Sequence, residues 1–216
     1  LAIDRILCAL TDQWVFVSTD ERDEAQRLGI RPRRLAVIPN GIDLPAFEKS
    51  LLTESPALPG SFRLGTVGRF DPIKDHSGLI KLFGALVKKI KDLKDPILAD
   101  PRLFIVGTGD LEPKLRAQIQ VLGLSGHVHL LGALPVGPFL KSIDLYVSNS
   151  KGEAFPLTVL EALIARVPVL VSRVPGHDFL IDQNLACGFR ASNAQDFVEQ
   201  VIKQSQKGTR PELSEA

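Results

Sequence analysis

Residues 144–165 read DLYVSNSKGEAFPLTVLEALIA, and this stretch indicates how the rest of the chain folds. Its first part, 144–148, is a short apolar run of β-prone residues, which predicts a buried strand. Its last part, 157–165, is apolar with helical character, and Pro156 opens it at a position where a helix tolerates proline. The polar residues between these parts predict a tight turn from the end of a strand to the start of a helix.

This predicted helix start has the properties of an anion-binding site. Its first backbone N–H groups lack partners within the helix, and the helix dipole places partial positive charge at the same end. Two carboxylates frame the opening: Glu153 lies in the turn, and Glu161 lies in the helix on a narrow face shared with Thr158 and Ala165. Because a charged side chain in so apolar a helix is costly, we expect Glu161 to reach solvent or a partner.

Strands and helices alternate in the same way from residue 62 onward. The strands are apolar nearly throughout, which is typical of a parallel sheet covered by helices on both faces. The sequence therefore predicts an α/β fold with a Rossmann-like parallel sheet. The expected strands are 63–67, 103–106, 128–131, 144–148 and 167–172, and the expected helices are 77–93, 111–122, 136–142, 157–165 and 194–206.

The first 60 residues show a different pattern. Residues 42–59 are rich in Pro, Ser and Glu and show little periodicity, which predicts a linker or a domain boundary. The elements expected before it are a helix at 1–10, a buried strand at 14–18, a charged helix capped by Thr19 or Asp20, and a short strand at 35–39.

Composition argues against several classes of protein. The 216 residues include 26 basic and 25 acidic ones, so no overall field favours nucleic acid or an anionic membrane. Cys8 and Cys187 are far apart in sequence and the histidines show no metal spacing, so neither a disulfide framework nor a metal site is expected. No apolar run approaches the roughly 18 residues that span a membrane. We expect a reducing compartment, and the absence of methionine indicates an excised fragment.

In parallel sheets of this kind, ligands bind outside the carboxyl ends of the strands. The loop after the strand at 63–67 carries Arg69 and Lys74, whose planar fork and point charge can together neutralise a diphosphate. The same two residues are also compatible with solvated cations in a turn rich in glycine and proline. The sequence of this loop alone leaves both interpretations open.

Other strand ends carry further candidates, each with a plainer explanation. Gly107 and Gly109 allow close approach of the backbone, but a tight turn capped by Asp110 explains them equally well. Glu153 could serve only the helix dipole, and Glu161 could project from an exposed stripe. For the histidines at 76, 127, 129 and 177 a surface or structural role is favoured. Among them, His177, which follows Gly176, is the candidate for a functional role. The convergence of basic and acidic residues on one sheet edge favours a binding site.

Four segments, in order, resemble the C-terminal, donor-binding half of the retaining group 1 glycosyltransferases, which have the GT-B fold. They are VIPNGID at 37–43, GTVGRF at 65–70 with Lys74, FIVGTG at 104–109, and Glu153 and Glu161 with seven residues between them. The first is similar to the interdomain segment, the second to a basic phosphate loop, the third to the turn beside the base, and the fourth to the family's paired glutamates. The resemblance covers about residues 13–205.

The resemblance implies a role for each candidate residue. Arg69 and Lys74 would hold the donor diphosphate and stabilise the leaving nucleoside diphosphate in place of a metal ion. Glu161 would bind the ribose hydroxyls, and Glu153 would orient the transferred sugar, so that Glu153, Arg69 and Lys74 are the catalytic set. Backbone N–H groups of 155–158 would bind phosphate, and the nucleobase would lie between 107–109 and 130–132. The donor-binding set implied is Gly68, Arg69, Lys74, Gly107, Gly109, Leu131, Glu153, Phe155, Pro156, Leu157, Thr158 and Glu161.

The resemblance also implies a domain organisation and partners. Residues 1–40 would end an N-terminal acceptor domain, 41–60 would be the interdomain linker, 61–207 the sugar-nucleotide-binding domain, and 208–216 a loose tail. The substrate would be a UDP-, GDP- or ADP-sugar, with no cofactor, no metal and no nucleic acid. The acceptor would bind mainly to the absent N-terminal domain, so the fragment would be inactive or weak, and the strand at Trp14 would lack its own sheet.

The parent protein is expected in the cytoplasm, with peripheral association at the inner face of a membrane and a role in cell-surface polysaccharide or glycolipid synthesis. One departure from the family pattern is Ala154, where glycine is usual after the first glutamate, so the turn could be altered. A GT-B epimerase shares the architecture, whereas a phosphorylase would need a pyridoxal-binding lysine that we do not recognise. From another class, a non-catalytic nucleotide-binding or interaction module could keep the scaffold. A dinucleotide-dependent oxidoreductase is disfavoured, because no early strand carries a full glycine fingerprint.

Overall fold

The structure is a computed structural model that describes residues 2–93 and 95–207, and helices alternate with strands along most of this length. The elements are α1 (Ala2–Leu10), β1 (Trp14–Phe16), α2 (Thr19–Arg27), β2 (Leu35–Val37), α3 (Leu44–Leu51), β3 (Phe62–Val67), α4 (His76–Ile90), β4 (Pro101–Val106), α5 (Glu112–Val121), β5 (Val128–Leu130), α6 (Val136–Ser142), β6 (Leu145–Ser148), α7 (Leu157–Ile164), β7 (Val169–Ser172), α8 (Asp178–Asp182), β8 (Cys187–Phe189) and α9 (Ala194–Ser205). The predicted loose tail at 208–216 lies outside the described residues.

Strands β3 to β8 form one parallel sheet, with the order β5-β4-β3-β6-β7-β8. The prediction of an α/β fold with a Rossmann-like parallel sheet is confirmed. The chain winds from β3 toward β5 and then returns to place β6 on the other side of β3. In such a sheet a crevice opens at the reversal, between the loops that follow the two central strands. The loop after β3 carries Lys74, and the turn after β6 carries Glu153.

The sheet is buried on both faces, which explains why its strands are continuously apolar. In β4, Leu103 and Ile105 pack into the cluster formed with α4, α5 and α9. Phe104 and Val106 point to the opposite face and pack with α3, α6, α7 and α8. These two clusters fix the sheet between its helices and hold the carboxyl ends of the strands in place.

The N-terminal segment forms a small sheet of its own. Strand β1 pairs in parallel with β2, and Trp14 lies opposite Leu35. The expectation that the Trp14 strand would lack a sheet is therefore wrong, because the segment at 35–37 supplies the partner. The cap of α2 also differs from the prediction, since Ser18 rather than Thr19 or Asp20 accepts the hydrogen bond of the first turn, from the backbone N–H of Glu21 at 3.1 Å.

Three elements differ from the sequence-based expectation. The segment at 41–60, expected to be a linker, contains the helix α3, in which the Asp43 carboxylate accepts from the Ala46 N–H at 3.1 Å. Phe47 of this helix is buried in the cluster formed with α6 and α7. The short helix α8 and the edge strand β8 follow β7 and were not predicted.

Candidate functional site

The central feature of the crevice is an ion pair between its two sides. The Nζ atom of Lys74, in the loop after β3, lies 2.6 Å from Oε1 of Glu153, in the turn after β6. Their side chains are 25% and 10% exposed, respectively, so the pair is largely shielded from water. The structure thus joins two residues that are 79 positions apart in the sequence. At this distance and degree of burial each charge stabilises the other.

Backbone and side-chain hydrogen bonds hold the Lys74 loop against the Glu153 turn. The Lys151 N–H donates to the Ile73 carbonyl at 2.8 Å. The buried amide of Asn149 donates to both the carbonyl and the carboxylate of Asp75 at 3.1 Å. Asp75 adopts a left-handed backbone with φ 45° and caps the start of α4. Because these bonds join the two loops directly, the position of Lys74 is set by the fold and does not depend on a ligand.

Arg69 has a different environment from Lys74. Its side chain is 85% exposed, and its guanidinium lies 3.2 Å from the Asp71 carboxylate. The same carboxylate accepts the backbone N–H groups of Ile73 and Lys74, both at 3.0 Å. An exposed pair of this kind contributes little to stability, so Arg69 can leave Asp71 at small cost. Arg69 and Lys74 share a loop as predicted, but each has its own carboxylate.

The backbone of the Glu153 turn is supported by the loop that follows the neighbouring strand β7. The Glu153 N–H donates to the Pro175 carbonyl at 3.1 Å. Gly176 has φ 85°, and a Cβ atom there would collide with the Glu153 carbonyl oxygen. Ala154 is not among the described residues with positive φ. The alanine at this position therefore meets no backbone obstacle, and Gly176 is the residue whose lack of a side chain the turn requires.

The start of α7 lies directly after this turn. Pro156 is its N-cap and provides no side-chain cap. The Leu157 N–H bonds the Phe155 carbonyl at 3.0 Å, whereas the N–H groups of Phe155 and Thr158 have no acceptor among the described residues. The Thr158 hydroxyl accepts from the Tyr146 hydroxyl at 2.8 Å. Tyr146 lies in β6, and burial raises its pKa to about 12, so it stays protonated and remains a donor.

Glu161 lies one turn further along α7, and its surroundings contrast with those of Glu153. Its side chain is half-buried, and burial raises the pKa of its carboxyl group. Within the described part of the chain, this carboxyl group makes no hydrogen bond or ion pair. The structure therefore does not bring Glu161 into contact with Arg69 or Lys74. A half-buried carboxylate without a partner is well suited to accept hydrogen bonds from hydroxyl groups of a ligand.

The turns after β4 and β5 lie on the β3 side of the crevice, against the loop after β3. The Gly107 N–H bonds the Gly132 carbonyl at 2.8 Å, so the two turns lie side by side as expected. A Cβ atom at Gly107 would collide with the Gly68 carbonyl oxygen, and one at Gly109 would lie 2.8 Å from the Phe70 carbonyl oxygen. The glycines thus permit the basic loop to pack on this turn, which is a structural role. Beside them, Leu131 borders a cavity of about 330 Å³ between α5 and β5.

The small N-terminal sheet faces the Glu153 turn. A cavity of about 820 Å³ is lined on one side by Trp14, Phe16 and α2, and on the other by Glu153 and Ala154. The carboxyl end of β1 also lines a smaller cavity of about 210 Å³ with Phe155. The cavity between the N-terminal sheet and the Glu153 turn is thus large enough for a small molecule.

Several residues of the site were not predicted. Ser148, Ser150, Asn149 and Asp75 hold the predicted residues in place, and Gly176 shapes the Glu153 turn. Ser148 ends β6 and Ser150 follows it closely, so the position of the serines at the strand end was a usable signal. Other partners, such as His177 for Ser148 and Asp75 for Asn149, come from distant parts of the chain, for which a single sequence offers no signal.

Metal ligation and membrane insertion both bear on the site. Over residues 2–93 and 95–207, no group of three or more His, Cys, Asp or Glu side chains is arranged to hold a metal ion. Over the same residues, none of the helices has the length and apolar character needed to cross a bilayer. Cys8 and Cys187 are both free thiols.

Sequence profiles of two families match the chain. The profile described as Glycosyl transferases group 1 matches residues 52–215, which include both sides of the crevice. The profile described as Glycosyltransferase Family 4 matches residues 1–45.

Two curated relatives illustrate the sequence similarity. The UDP-Gal:alpha-D-GlcNAc-diphosphoundecaprenol alpha-1,3-galactosyltransferase of Escherichia coli is 32% identical over 164 residues, which cover 72% of this chain and 41% of the relative. The phosphatidyl-myo-inositol mannosyltransferase of Mycobacterium leprae is 33% identical over 144 residues, covering 62% of this chain and 34% of the relative. The chain therefore spans well under half the length of these relatives.

Solved structures share the fold. A variant of S. aureus TarM in complex with UDP and alpha-GlcNAc-glycerol superposes with a TM-score of 0.74 at 20% identity, covering 95% of this chain and 39% of TarM. Anabaena HepE in complex with UDP and glucose gives a TM-score of 0.73 at 19% identity, covering 95% of this chain and 59% of HepE. At these identities the similarity shows the architecture alone.

Proposed function

The chain belongs to the group 1 glycosyl transferases, and we propose that it binds the nucleotide-sugar donor of a retaining, metal-independent sugar transfer. The observation that carries this proposal is the Lys74–Glu153 pair at the reversal point of the sheet, beside the uncapped start of α7. This arrangement places a cation, a carboxylate and free backbone donors within one crevice. Those are the groups required to bind a diphosphate and a sugar side by side.

The donor is proposed to lie along the crevice with its diphosphate at the start of α7. Lys74 and Arg69 would hold the phosphates, and the free N–H groups of Phe155 and Thr158 would add neutral donors. As the bond to the anomeric carbon breaks, negative charge develops on the leaving diphosphate. Fixed cations and N–H groups stabilise that charge without a metal ion. Glu153, which shares Lys74 with the phosphates, would face the transferred sugar.

The nucleoside is proposed to extend from the diphosphate across the crevice. The carboxylate of Glu161, which has no partner among the described residues, would accept hydrogen bonds from the ribose hydroxyls, which would compensate for its partial burial. The base would lie against the turn at 107–109 and the backbone at 130–132, which are hydrogen-bonded to each other. Because these contacts would be made mostly by backbone, UDP-, GDP- and ADP-sugars are all candidates. UDP is the first to test, because the name of the Escherichia coli relative includes UDP-Gal and the fold neighbours bind UDP.

The acceptor is proposed to bind on the side of the N-terminal sheet, where the 820 Å³ cavity borders Glu153. The names of both curated relatives refer to lipid-linked acceptors, so an acceptor of that class, reached from the cytoplasmic face of a membrane, is the proposal for the whole protein. Since the chain spans well under half the length of these relatives, transfer by this chain alone is expected to be weak.

Calorimetric titration of the chain with UDP, GDP and ADP tests the proposal. We expect one nucleoside diphosphate to bind with a dissociation constant in the micromolar range and Lys74→Ala to weaken binding by about 100-fold, since a charged hydrogen bond contributes about 2–3 kcal/mol. Lys88→Ala is the matched control, because Lys88 is an exposed lysine in the last turn of α4, away from the crevice. Absence of binding by all three at millimolar concentration would refute the proposal.

Two rival interpretations make different predictions in the full-length parent. A non-catalytic module would keep its biological activity when both Arg69 and Lys74 are changed to alanine, whereas a transferase would lose turnover. A GT-B epimerase would convert a nucleotide-sugar to its epimer without an acceptor, which product analysis by NMR detects. Sugar transfer with retained anomeric configuration distinguishes the proposed enzyme from both.

A further inference from the structure

A chain of buried polar groups extends from Glu153 into the sheet. Ser150 donates its hydroxyl proton to Oε1 of Glu153. The Ser150 oxygen lies 3.3 Å from the Ser148 oxygen, which in turn lies 3.4 Å from Nε2 of His177. Ser148, Ser150 and His177 are 6%, 2% and 0% exposed, so all three are buried from bulk solvent. Hydroxyl and imidazole groups at this depth need partners within the protein.

The other ring nitrogen of His177 identifies the tautomer. Nδ1 lies 3.0 Å from the carbonyl oxygen of Ser172. A carbonyl only accepts, so Nδ1 carries a proton. When His177 is neutral, Nε2 therefore has a lone pair, and the Ser148 hydroxyl must donate to it.

When His177 is neutral, this series of hydrogen-bonding groups has too few protons to form a hydrogen bond at every contact. Ser150 directs its proton toward Glu153 and Ser148 directs its proton toward His177, so the two serine oxygens face each other at 3.3 Å without a proton between them. One additional proton, on Nε2 of His177, lets Nε2 donate to Ser148, Ser148 to Ser150, and Ser150 to the Glu153 carboxylate. Every contact is then satisfied. Protonation of His177, at one end of the hydrogen-bond chain, is thus coupled to the charge of Glu153 at the other end.

We infer that His177, acting through Ser148 and Ser150, is a positioning residue that fixes the Glu153 carboxylate and couples its charge to the protonation of the imidazole. The functional part of this inference rests on the proposed function, in which Glu153 orients the transferred sugar. The hydrogen-bond chain itself rests on the contacts alone.

The contacts of Glu153 show how this positioning acts on the site. Both the Lys74 ammonium and the Ser150 hydroxyl bond the same oxygen, Oε1. Within the described residues Oε2 has no partner, and Glu153 borders the 820 Å³ cavity. With Oε1 held by two donors, the carboxylate cannot rotate freely, and Oε2 is left as the acceptor for a sugar hydroxyl. Loss of the chain behind Ser150 would release this constraint.

The charges around His177 set the direction of its response. Burial lowers the pKa of His177, the nearby Lys74 ammonium lowers it further, and the Glu153 and Asp178 carboxylates oppose the shift, as does the bond to Ser172. His177 is therefore neutral at pH 7, and the additional proton enters on acidification. Removal of the Glu153 charge should make protonation of His177 harder.

NMR of the chain with labelled histidine side chains tests the coupling without any ligand. In the wild type, neutral His177 should show the Nδ1–H tautomer. Glu153→Gln should lower the proton affinity of His177 about tenfold, and this effect should be clearly smaller when Ser150→Ala is already present, since only the direct electrostatic effect of the carboxylate then remains. His127, a partly exposed ring bonded to the Pro101 carbonyl at 3.0 Å, serves as the internal control and should not respond. An equal effect of Glu153→Gln with and without Ser150→Ala, or none at all, would overturn the inference.

Two substitutions of His177 test its effect on ligand binding. His177→Asn keeps a donor for the Ser172 carbonyl but removes the group at Nε2, whereas His177→Gln places an amide donor near the Nε2 position. The quantity measured is the affinity for UDP-galactose or GDP-mannose divided by that for the corresponding diphosphate. His177→Asn should lower this ratio about tenfold with little change in diphosphate affinity, and His177→Gln should restore most of it.

The two experiments separate the inference from the proposed function. If UDP, GDP and ADP all fail to bind while the NMR coupling is present, the proposed function is wrong and the buried chain stands. If a diphosphate binds but His177→Asn leaves the affinity ratio unchanged, the proposed function stands and His177 does not position Glu153.

Discussion

Glu153 and Glu161 lie close together in the chain, yet the structure treats them in opposite ways. Glu153 is in the turn after β6, with Lys74 at 2.6 Å and Ser150 on the same oxygen. Glu161 is in α7, is half-buried, and has no polar partner among the described residues. One carboxylate is therefore compensated before any ligand arrives, and the other is not.

This difference separates two uses of a carboxylate in one site. The charge of Glu153 is part of the folded structure, so its removal should cost stability and disturb the Lys74 loop. The partly buried charge of Glu161 destabilises the free protein, and hydrogen bonds from the hydroxyl groups of a ligand can compensate for this cost. The same substitution, glutamate to glutamine, should thus change stability in opposite directions at the two positions.

Substitution of Gly176, which supports the Glu153 backbone, should have the largest effect on stability. Gly176→Ala would place a Cβ atom against the Glu153 carbonyl oxygen in a backbone with φ 85°, so the turn must shift. We expect a loss of about 3 kcal/mol in the free energy of unfolding, measured by urea denaturation. Glu161 has no counterpart to this support, since helical hydrogen bonds hold its backbone.

Gly152→Ala is the matched control for this prediction. Gly152 lies in the same turn, but nothing is within 4 Å of the position of its Cβ atom. Its substitution should change the free energy of unfolding by less than about 0.5 kcal/mol. Equal losses at both glycines would show that the turn is sensitive to any side chain and that the contact of Gly176 with Glu153 has no special weight.

Breaking the ion pair should have the next largest effect. Lys74→Ala leaves the Glu153 carboxylate, 10% exposed, without its cation, and we expect a loss of about 2 kcal/mol in urea denaturation. Glu153→Gln in the same chain should recover part of this loss, because it removes the uncompensated charge. Additive losses in the double variant would mean that the two side chains do not stabilise each other.

The sequence alone located most of the sheet and the turn between β6 and α7. Apolar runs identified β3 to β7, because strands buried on both faces need few polar residues. The turn after β6 was recognised because Pro156 marks a helix start. The edge strand β8 was missed since Gly188 interrupts a run of only three residues, and the structure shows that a Cβ atom there would strike Ile181 and the Arg173 side chain.

In the segment of α3, residues typical of a helix start are present, but the lack of periodicity around them points the other way. Asp43 and Pro45 are a helix cap and a first-turn proline, yet the surrounding segment lacks periodicity and therefore predicts a linker where the structure has α3. Pairings across the crevice were beyond reach for a different reason. Contacts such as Lys74 with Glu153, or Ser148 with His177, depend on which strands are neighbours, and a single sequence does not encode that order directly.

Acidification should destabilise the region behind Glu153. Burial lowers the pKa of His177, so the folded protein binds this proton less readily than the unfolded chain. The corresponding stability is complete above about pH 6.5 and is lost as the pH falls through the folded value. We expect His177→Gln to reduce the loss of stability between pH 7.5 and 5.5 by about 1 kcal/mol in urea denaturation.

His76 sharpens this measurement because it is also buried with a lowered pKa, yet its Nε2 bonds the carbonyls of Gly68 and Arg69 rather than the chain to Glu153. Glu153→Gln should therefore alter the pH dependence through His177, and the part that remains in His177→Gln should not respond to Glu153→Gln. A remaining part that does respond would place the coupling elsewhere.

The smallest expected effect has the opposite sign and completes the comparison. Burial raises the pKa of the Glu161 carboxyl group, so its stability contribution is complete near pH 4 and is lost as the pH rises through the folded value. Because the side chain is half-buried, solvent screening limits the penalty, and Glu161→Gln should raise the free energy of unfolding by about 0.5 kcal/mol at pH 7 and leave it unchanged at pH 4. Under the proposed function, the same substitution should weaken binding of the nucleoside diphosphate about tenfold. A variant that is more stable but binds less tightly identifies a carboxylate kept for its ligand, whereas a loss of stability at pH 7 would mean that Glu161, like Glu153, already has a partner within the fold.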